Sequence, residues 1–277
     1  MTDPTIGSLR VNGATLHYEV RGHGPLLLLI PGGTGGVASY DGVADDLAAT
    51  YTVATYDPRG MSRSTLDDPE AEQQVPEHAE DAFRILELLS PGEAARVFGA
   101  SSGAIAALHL LTTHPQRVER VVAHEPPVVE VLPDASEHRA LIARVQEIFR
   151  TQGLMPAMAV FATGLKKDGD TTRPETVKLP LQAAARAEQT MANLPYFLGH
   201  IVPSFMSYAP DLHRLETLSD QLVLAGGQDS RGELPYRPAA FLAERLGTEL
   251  LHFPGGHTGL TTHPVEFGEL LRKAFRS

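Results

Sequence analysis

Apolar and polar positions change rhythm several times along the chain, and each change marks an element. Ser8–Asn12 and Thr15–Val20 alternate with the two-residue period of a half-buried strand, and Asn12-Gly13 between them is a hairpin turn signal. Leu26–Ile30 is continuously apolar, the pattern of a strand covered on both faces. A helical stretch over Ser39–Thr50 and a strand at Thr52–Tyr56 follow. Ala82, Ile85 and Leu89 then recur at helical spacing and predict a helix over Glu77–Leu89. Beyond it the pattern predicts a strand from Ala95, a helix over Gly103–Thr113 and a strand at Val118–Ala123.

The rhythm breaks at Pro126-Pro127 and returns at the apolar run Gln221–Ala225. A helix over Arg237–Leu246, a strand at Thr248–Phe253 and a terminal helix over Pro264–Phe275 complete the pattern. Strands that alternate with helices imply an α/β fold, with a mostly parallel central sheet flanked by helices. The stretch 132–215 instead reads as helical, so the expected organisation is a core of 1–131 and 216–277 with 132–215 inserted as a helical cap over the sheet edge. Its apolar residues Met155, Met158, Phe161, Phe197, Phe205 and Met206 are candidates to line a pocket, methionine being well suited to a bulky apolar ligand.

Composition narrows the class. A chain of 277 residues with 42% hydrophobic content fits one large α/β domain with a modest insert. The net charge of −11 argues against nucleic acid or an anionic membrane as partner. With no cysteine, thiolate catalysis, cysteine-ligated metals and disulfides are excluded. The opening Met1–Gly7 lacks the layout of a signal peptide, and no apolar run approaches the roughly 20 residues of a membrane span, so a cytoplasmic enzyme is expected. No histidine–carboxylate set has metal-ligand spacing. The Gly-rich run 31–36 lacks both Gly-Lys-Ser/Thr and a complete dinucleotide fingerprint, so neither metal nor cofactor is expected.

The strongest chemical signal is Gly99-Ala100-Ser101-Ser102-Gly103, placed between an apolar strand and an Ala/Leu-rich helix. That context is the one a G-x-S-x-G nucleophile elbow requires: flanking glycines permit a turn too tight for a Cβ, and the serine hydroxyl is lifted off the sheet edge. A serine needs a base, itself oriented by an acid. Of twelve histidines, His257 lies in a glycine-rich loop leaving the last strand, where it can overhang the sheet edge; others, such as His17, His124 and His252, fall in or beside strands. Two acids compete. Asp229 follows the strand 221–225, a common position, but leads into a polar loop where an exposed carboxylate needs no partner. Glu125 ends a very apolar strand against Pro126-Pro127, where a buried charge requires one, and this favours Glu125 with Asp229 as the alternative. The backbone N–H groups of Ser102 and Gly33 are the candidate oxyanion donors. Asp57 and Arg59 are read as structural, an Asx-type turn and a salt-bridging arginine.

Together these features resemble the α/β-hydrolase superfamily over nearly the whole chain. The Pro-Gly-Gly loop at 31–33, Gly60-Met61-Ser62-Arg63-Ser64, Ser-Ser-Gly-Ala at 101–104 and His-Glu at 124–125 are most similar to the fungal zearalenone lactonases. The resemblance implies Ser101, Glu125 and His257 as a catalytic triad, with Gly33 and Ser102 as oxyanion donors. Dehalogenases of this fold with a glutamate acid are also similar, but their nucleophile is an aspartate where this chain has Ser101. Two departures stand out: Pro31-Gly32 replaces the common His-Gly, and the chain has no tryptophan, whereas the zearalenone enzymes carry one in the cap over the substrate. The expected activity is hydrolysis of a carboxylic ester or lactone, including a bulky apolar macrolactone, through an acyl-enzyme. Alternatives are a carbon–carbon bond hydrolase of the diketone or ring-fission type and a non-catalytic ligand-binding protein on the same fold. Expected partners are the small-molecule substrate and a second copy of the chain, as a homodimer.

Overall fold

The computed structural model describes residues 3–167 and 181–276, the side chains of 181–186 excepted. The Asn12-Gly13 turn joins β1 (Thr5–Val11) to β2 (Ala14–Arg21), and Gly13 takes the positive φ of 71° that this turn requires. β3 (Leu26–Ile30) is buried along its whole length, as its unbroken apolar sequence demands. A single helical turn at Val37–Tyr40 and α1 (Asp41–Leu47) lead to β4 (Thr52–Tyr56). The two-residue β5 (Thr65–Leu66) pairs with β2; it is too short to carry a periodicity. Next come α2 (Val75–Leu89), β6 (Ala95–Ala100), α3 (Ser102–Thr113) and β7 (Val118–His124). α2 begins two residues earlier than the apolar spacing indicates, because Pro76 sits in its first turn, where a missing N–H costs nothing.

Among the described residues, five α-helices separate β7 from β8: α4 (Ala135–Gln152), α5 (Leu154–Leu165), α6 (Leu181–Tyr196), α7 (Val202–Met206) and α8 (Leu212–Thr217). The first four fall in the stretch 132–215 expected to form an inserted cap, and α8 runs two residues past its end; 168–180 lies outside the described residues. The chain closes with β8 (Leu222–Gly227), α9 (Tyr236–Leu246), β9 (Leu251–Phe253), α10 (Gly259–Thr262) and α11 (Pro264–Ala274). β9 starts three residues later than its apolar pattern suggests, since pairing with β8 begins only at Ala225–Leu251.

The sheet runs in the order β1-β2-β4-β3-β6-β7-β8-β9. β2 is antiparallel to β1, β4 and β5, and every pair from β4 to β9 along that order is parallel. Residues of α2, α3 and α9 pack on one face with Leu28, Val97 and Val121; residues of α1 and α11 pack on the other with Leu27, Phe98 and Phe253. A third apolar cluster joins α4, α5 and α7 through Val145, Phe161 and Met206. The chain leaves β3 toward β4 on one side and returns to β6 on the other, so strand order reverses between β3 and β6. In open α/β sheets ligands bind outside the carboxyl ends of the strands at such a switch point.

Candidate active site

The register brings the candidate residues to one edge. Ala100 of β6 pairs with His124 of β7, and His124 pairs with Ala225 of β8. The residues immediately following on two adjacent strands are therefore Ser101 and Glu125. Ser101 N–H donates to His124 O at 2.9 Å, and Glu125 N–H to Ala225 O at 2.9 Å. Both residues take positive φ, 53° and 48°. For non-glycine residues this conformation costs on the order of 1–3 kcal/mol and persists only where surrounding contacts fix it. At the elbow those contacts are close. A Cβ on Gly103 would lie 2.3 Å from Ile30 O, and one on Gly32 would lie 2.0 Å from Ala100 O, so the loop after β3 packs directly on the turn that presents Ser101.

His257 Nδ1 donates to Glu125 Oε2 at 2.6 Å, leaving Nε2 for other chemistry. Glu125 is fully buried, and its other oxygen accepts the Gly227 N–H at 2.8 Å and the Ser230 hydroxyl. Burial by itself would raise the Glu125 pKa. The hydrogen bond and charge of His257, followed by His124 and Ser230, outweigh it and hold the carboxyl below the usual glutamate value. Asp229 is exposed, and among the described residues its carboxylate makes no hydrogen bond or ion pair. The geometry thus pairs His257 with Glu125 and not with Asp229. His124, behind them, packs edge-on against Phe253 and Phe267, and burial pushes its pKa down to about 4.

Ser101, Ser102, Gly33 and His257 open onto one cavity of about 390 Å³. Its remaining walls are almost entirely apolar and include Met158 and Phe161 of α5, Leu194 of α6, and Phe205 and Met206 of α7. Phe197 and Ile201 line it from a wide π-type turn between α6 and α7. Val202 N–H bonds back five residues to Phe197 O, and in this register the next carbonyl, Leu198 O, falls opposite Pro203, which has no N–H to give. Gln146 Nε2 donates to Leu198 O instead, at 2.7 Å. Of the six sequence-predicted pocket residues, Met155 is the exception: it is 64% exposed. At helical spacing it lies about 120° around α5 from Phe161, beyond the edge of the inward stripe formed by Met158, Phe161 and Leu165.

The model of the α/β-hydrolase fold family matches residues 25–156. An uncharacterised hydrolase of Bacillus subtilis, YraK, is 36% identical over 276 residues, spanning 96% of this chain and 94% of that protein. The chain belongs to the α/β-hydrolase family. A zearalenone hydrolase of Cladophialophora bantiana is 34% identical over 97% of this chain and 95% of its own length. Among solved structures, the enol-lactonase of Burkholderia xenovorans superposes with a TM-score of 0.73 over 98% of this chain and 100% of that one, at 17% identity, a likeness of fold.

Three residues of this hydrolase's site carried no signal in the sequence pattern. Ser230 looks like an ordinary polar loop residue, yet it is buried against Glu125. Thr34 lines the cavity from the loop after β3. Asn193 of α6 reaches across to the core: its Nδ2 donates to Thr34 O and Ser62 Oγ, each at 2.9 Å, and its Oδ1 accepts the Ser62 N–H at 3.0 Å. A single buried amide therefore ties α6 to two loops at the sheet edge.

Asp57 differs from the expected Asx-type turn. It is buried and bridges two loops, accepting from Val37 N–H at 2.8 Å and Arg63 Nε at 2.8 Å. Arg59 is buried and makes a two-pronged pair with Asp81, at 2.7 and 2.6 Å, away from the cavity. Removing it would leave Asp81 buried and unpaired. Arg59→Ala is expected to cost about 3–5 kcal/mol of stability in urea denaturation, while the folded fraction keeps its specific activity.

Proposed function

We propose that this α/β hydrolase is a serine hydrolase that opens an uncharged lactone or cleaves an uncharged carboxylic ester through an acyl-enzyme. The observation that carries the proposal is the strained Ser101 elbow on the same cavity as His257, whose other ring nitrogen is held by the buried Glu125. In this mechanism Ser101 Oγ attacks the carbonyl carbon as His257 Nε2 takes its proton. Glu125 holds the imidazole in the required tautomer and stabilises its cation. The first-turn N–H of Ser102, which has no intrahelical acceptor, faces the developing oxyanion. Collapse of the tetrahedral intermediate breaks the C–O bond, and the departing alkoxide receives the proton from His257. In a lactone that alcohol stays attached to the acyl chain. A water deprotonated by His257 then releases the acid and restores Ser101.

The cavity walls restrict the substrate. Apart from His257, no titratable side chain among the described residues lines the space, and against those walls a substrate carboxylate or ammonium would be desolvated without a partner. A volume of about 390 Å³ bounded by Met158, Phe161, Phe197 and Phe205 suits a bulky neutral ligand. The 34%-identical zearalenone hydrolase supports a macrolactone as the substrate class. The helices between β7 and β8, within 132–215, serve in this reading as the cap that shapes the acyl pocket, with Phe197 taking the place of an aromatic roof.

A panel of neutral resorcylic macrolactones, p-nitrophenyl esters and carboxylate-bearing lactones tests this assignment. The expected result is turnover of the neutral members, with the macrolactones showing the highest kcat/KM, and little or none of the anionic lactones. Preference for an anionic lactone would contradict it.

A further inference from the structure

The loop after β3 does not offer its backbone donor to the cavity directly. Gly33 N–H, the expected second oxyanion donor, is hydrogen-bonded to Ser102 Oγ at 2.9 Å. Three contacts fix that direction. Gly35 N–H donates to Gly32 O at 2.9 Å and closes the turn on which Gly33 sits with φ of 59°. Asn193 Nδ2 holds Thr34 O from the opposite side. Gly32 packs so closely on the elbow that a Cβ there would overlap Ala100 O and the Ser101 Cβ.

The Ser102 hydroxyl, by contrast, has one role filled and one open. Its oxygen accepts from Gly33, and among the described residues its own hydrogen has no acceptor. Ser102 lines the cavity beside Ser101, and in the proposed mechanism the carbonyl oxygen of a substrate attacked by Ser101 lies next to it. A hydroxyl that accepts one hydrogen bond becomes a stronger donor of another. Resting on the proposed Ser101 mechanism, we propose that Ser102 is a catalytic residue through its side chain: its hydroxyl donates to the oxyanion and relays the polarisation of the Gly33 N–H. Ser102 then supplies both donors, N–H and O–H, and Gly33 acts one bond removed. No proton changes owner in this relay; the hydroxyl keeps its hydrogen throughout.

Two variants, Ser102→Ala and the nearly isosteric Ser102→Cys, separate donation from packing. Each is compared with the wild type for kcat, KM, melting temperature and inhibition by an aryl trifluoromethyl ketone, which forms a tetrahedral oxyanion adduct on an active serine. The relay predicts that kcat and ketone affinity fall together by roughly 100-fold in both variants, with KM and melting temperature little changed, because the bond is made only to the oxyanion. Wild-type or raised kcat and ketone affinity in Ser102→Ala would overturn it, since a freed Gly33 N–H would then serve as donor directly. Loss in Ser102→Ala with full activity in Ser102→Cys would also overturn it, assigning the hydroxyl to packing. The same assays on Ser101→Ala keep the two ideas apart. Ketone binding and turnover that survive there refute the serine mechanism itself, whereas Ser101-dependent activity indifferent to Ser102 refutes only the relay.

Discussion

Ser101→Ala is expected to lower kcat on the order of 10⁶-fold while leaving a folded protein with an unchanged cavity. The size of the loss follows from the nucleophile acting as a unit with its base: without Oγ, His257 has no proton to take, and what remains is binding and oxyanion stabilisation. The structure makes the variant informative in a second way. Ser101 is held at φ 53°, ψ −123°, a conformation imposed by Gly103 and the β3 loop rather than chosen by the side chain. Alanine inherits the same strain, so its stability should match that of the wild type. Glycine tolerates the conformation, so Ser101→Gly should be equally inactive yet more stable by about 1 kcal/mol in urea denaturation. An inactive, stabilised Ser101→Gly would show backbone strain kept for presenting the hydroxyl.

The second large effect separates the two carboxylates. Glu125→Gln should reduce kcat by about 10³–10⁴-fold, because an amide opposite His257 Nδ1 neither fixes the tautomer nor stabilises the imidazolium. Asp229→Asn should stay within about threefold of the wild type, since that side chain is exposed and makes no bond to His257. Steady-state kinetics on one p-nitrophenyl ester suffice for the comparison. A greater loss at Asp229 would require a different position of the His257 loop. Ser230→Ala should fall between the two, as it removes one of the groups that hold Glu125 Oε1 but leaves the Gly227 N–H.

Much of this frame is legible in the chain because its signals are local. β3 and β7 are read from runs of apolar residues that a two-sided burial demands, and the elbow from a strand, a Gly-x-Ser-x-Gly turn and a helix in direct succession. The cost of burying a charge at the end of β7 favours Glu125 as the acid with Asp229 as the alternative, and it is the fold that brings Glu125 against His257. What was not legible depends on partners remote in sequence. Asn193 meets Ser62 and Thr34 at separations of 131 and 159 residues, and Ser230 meets Glu125 at 105. No spacing rule reaches so far. The direction of the Gly33 N–H is of the same kind, because the loop sequence places the residue near the elbow without saying which oxygen it will find. Met155 shows the limit of composition as a guide: it lies in an apolar helix, but the angle of that helix against α4 and α7 decides which methionine faces the cavity.

Whether Ser101 is an activated nucleophile is read by covalent capture. The wild-type protein is treated with an alkyl fluorophosphonate, its intact mass recorded and the modified peptide sequenced. A single adduct on Ser101 is expected, with loss of esterase activity in step and strongly slowed labelling in Glu125→Gln. No adduct under conditions that label a control serine hydrolase, or an adduct on another residue, would contradict it.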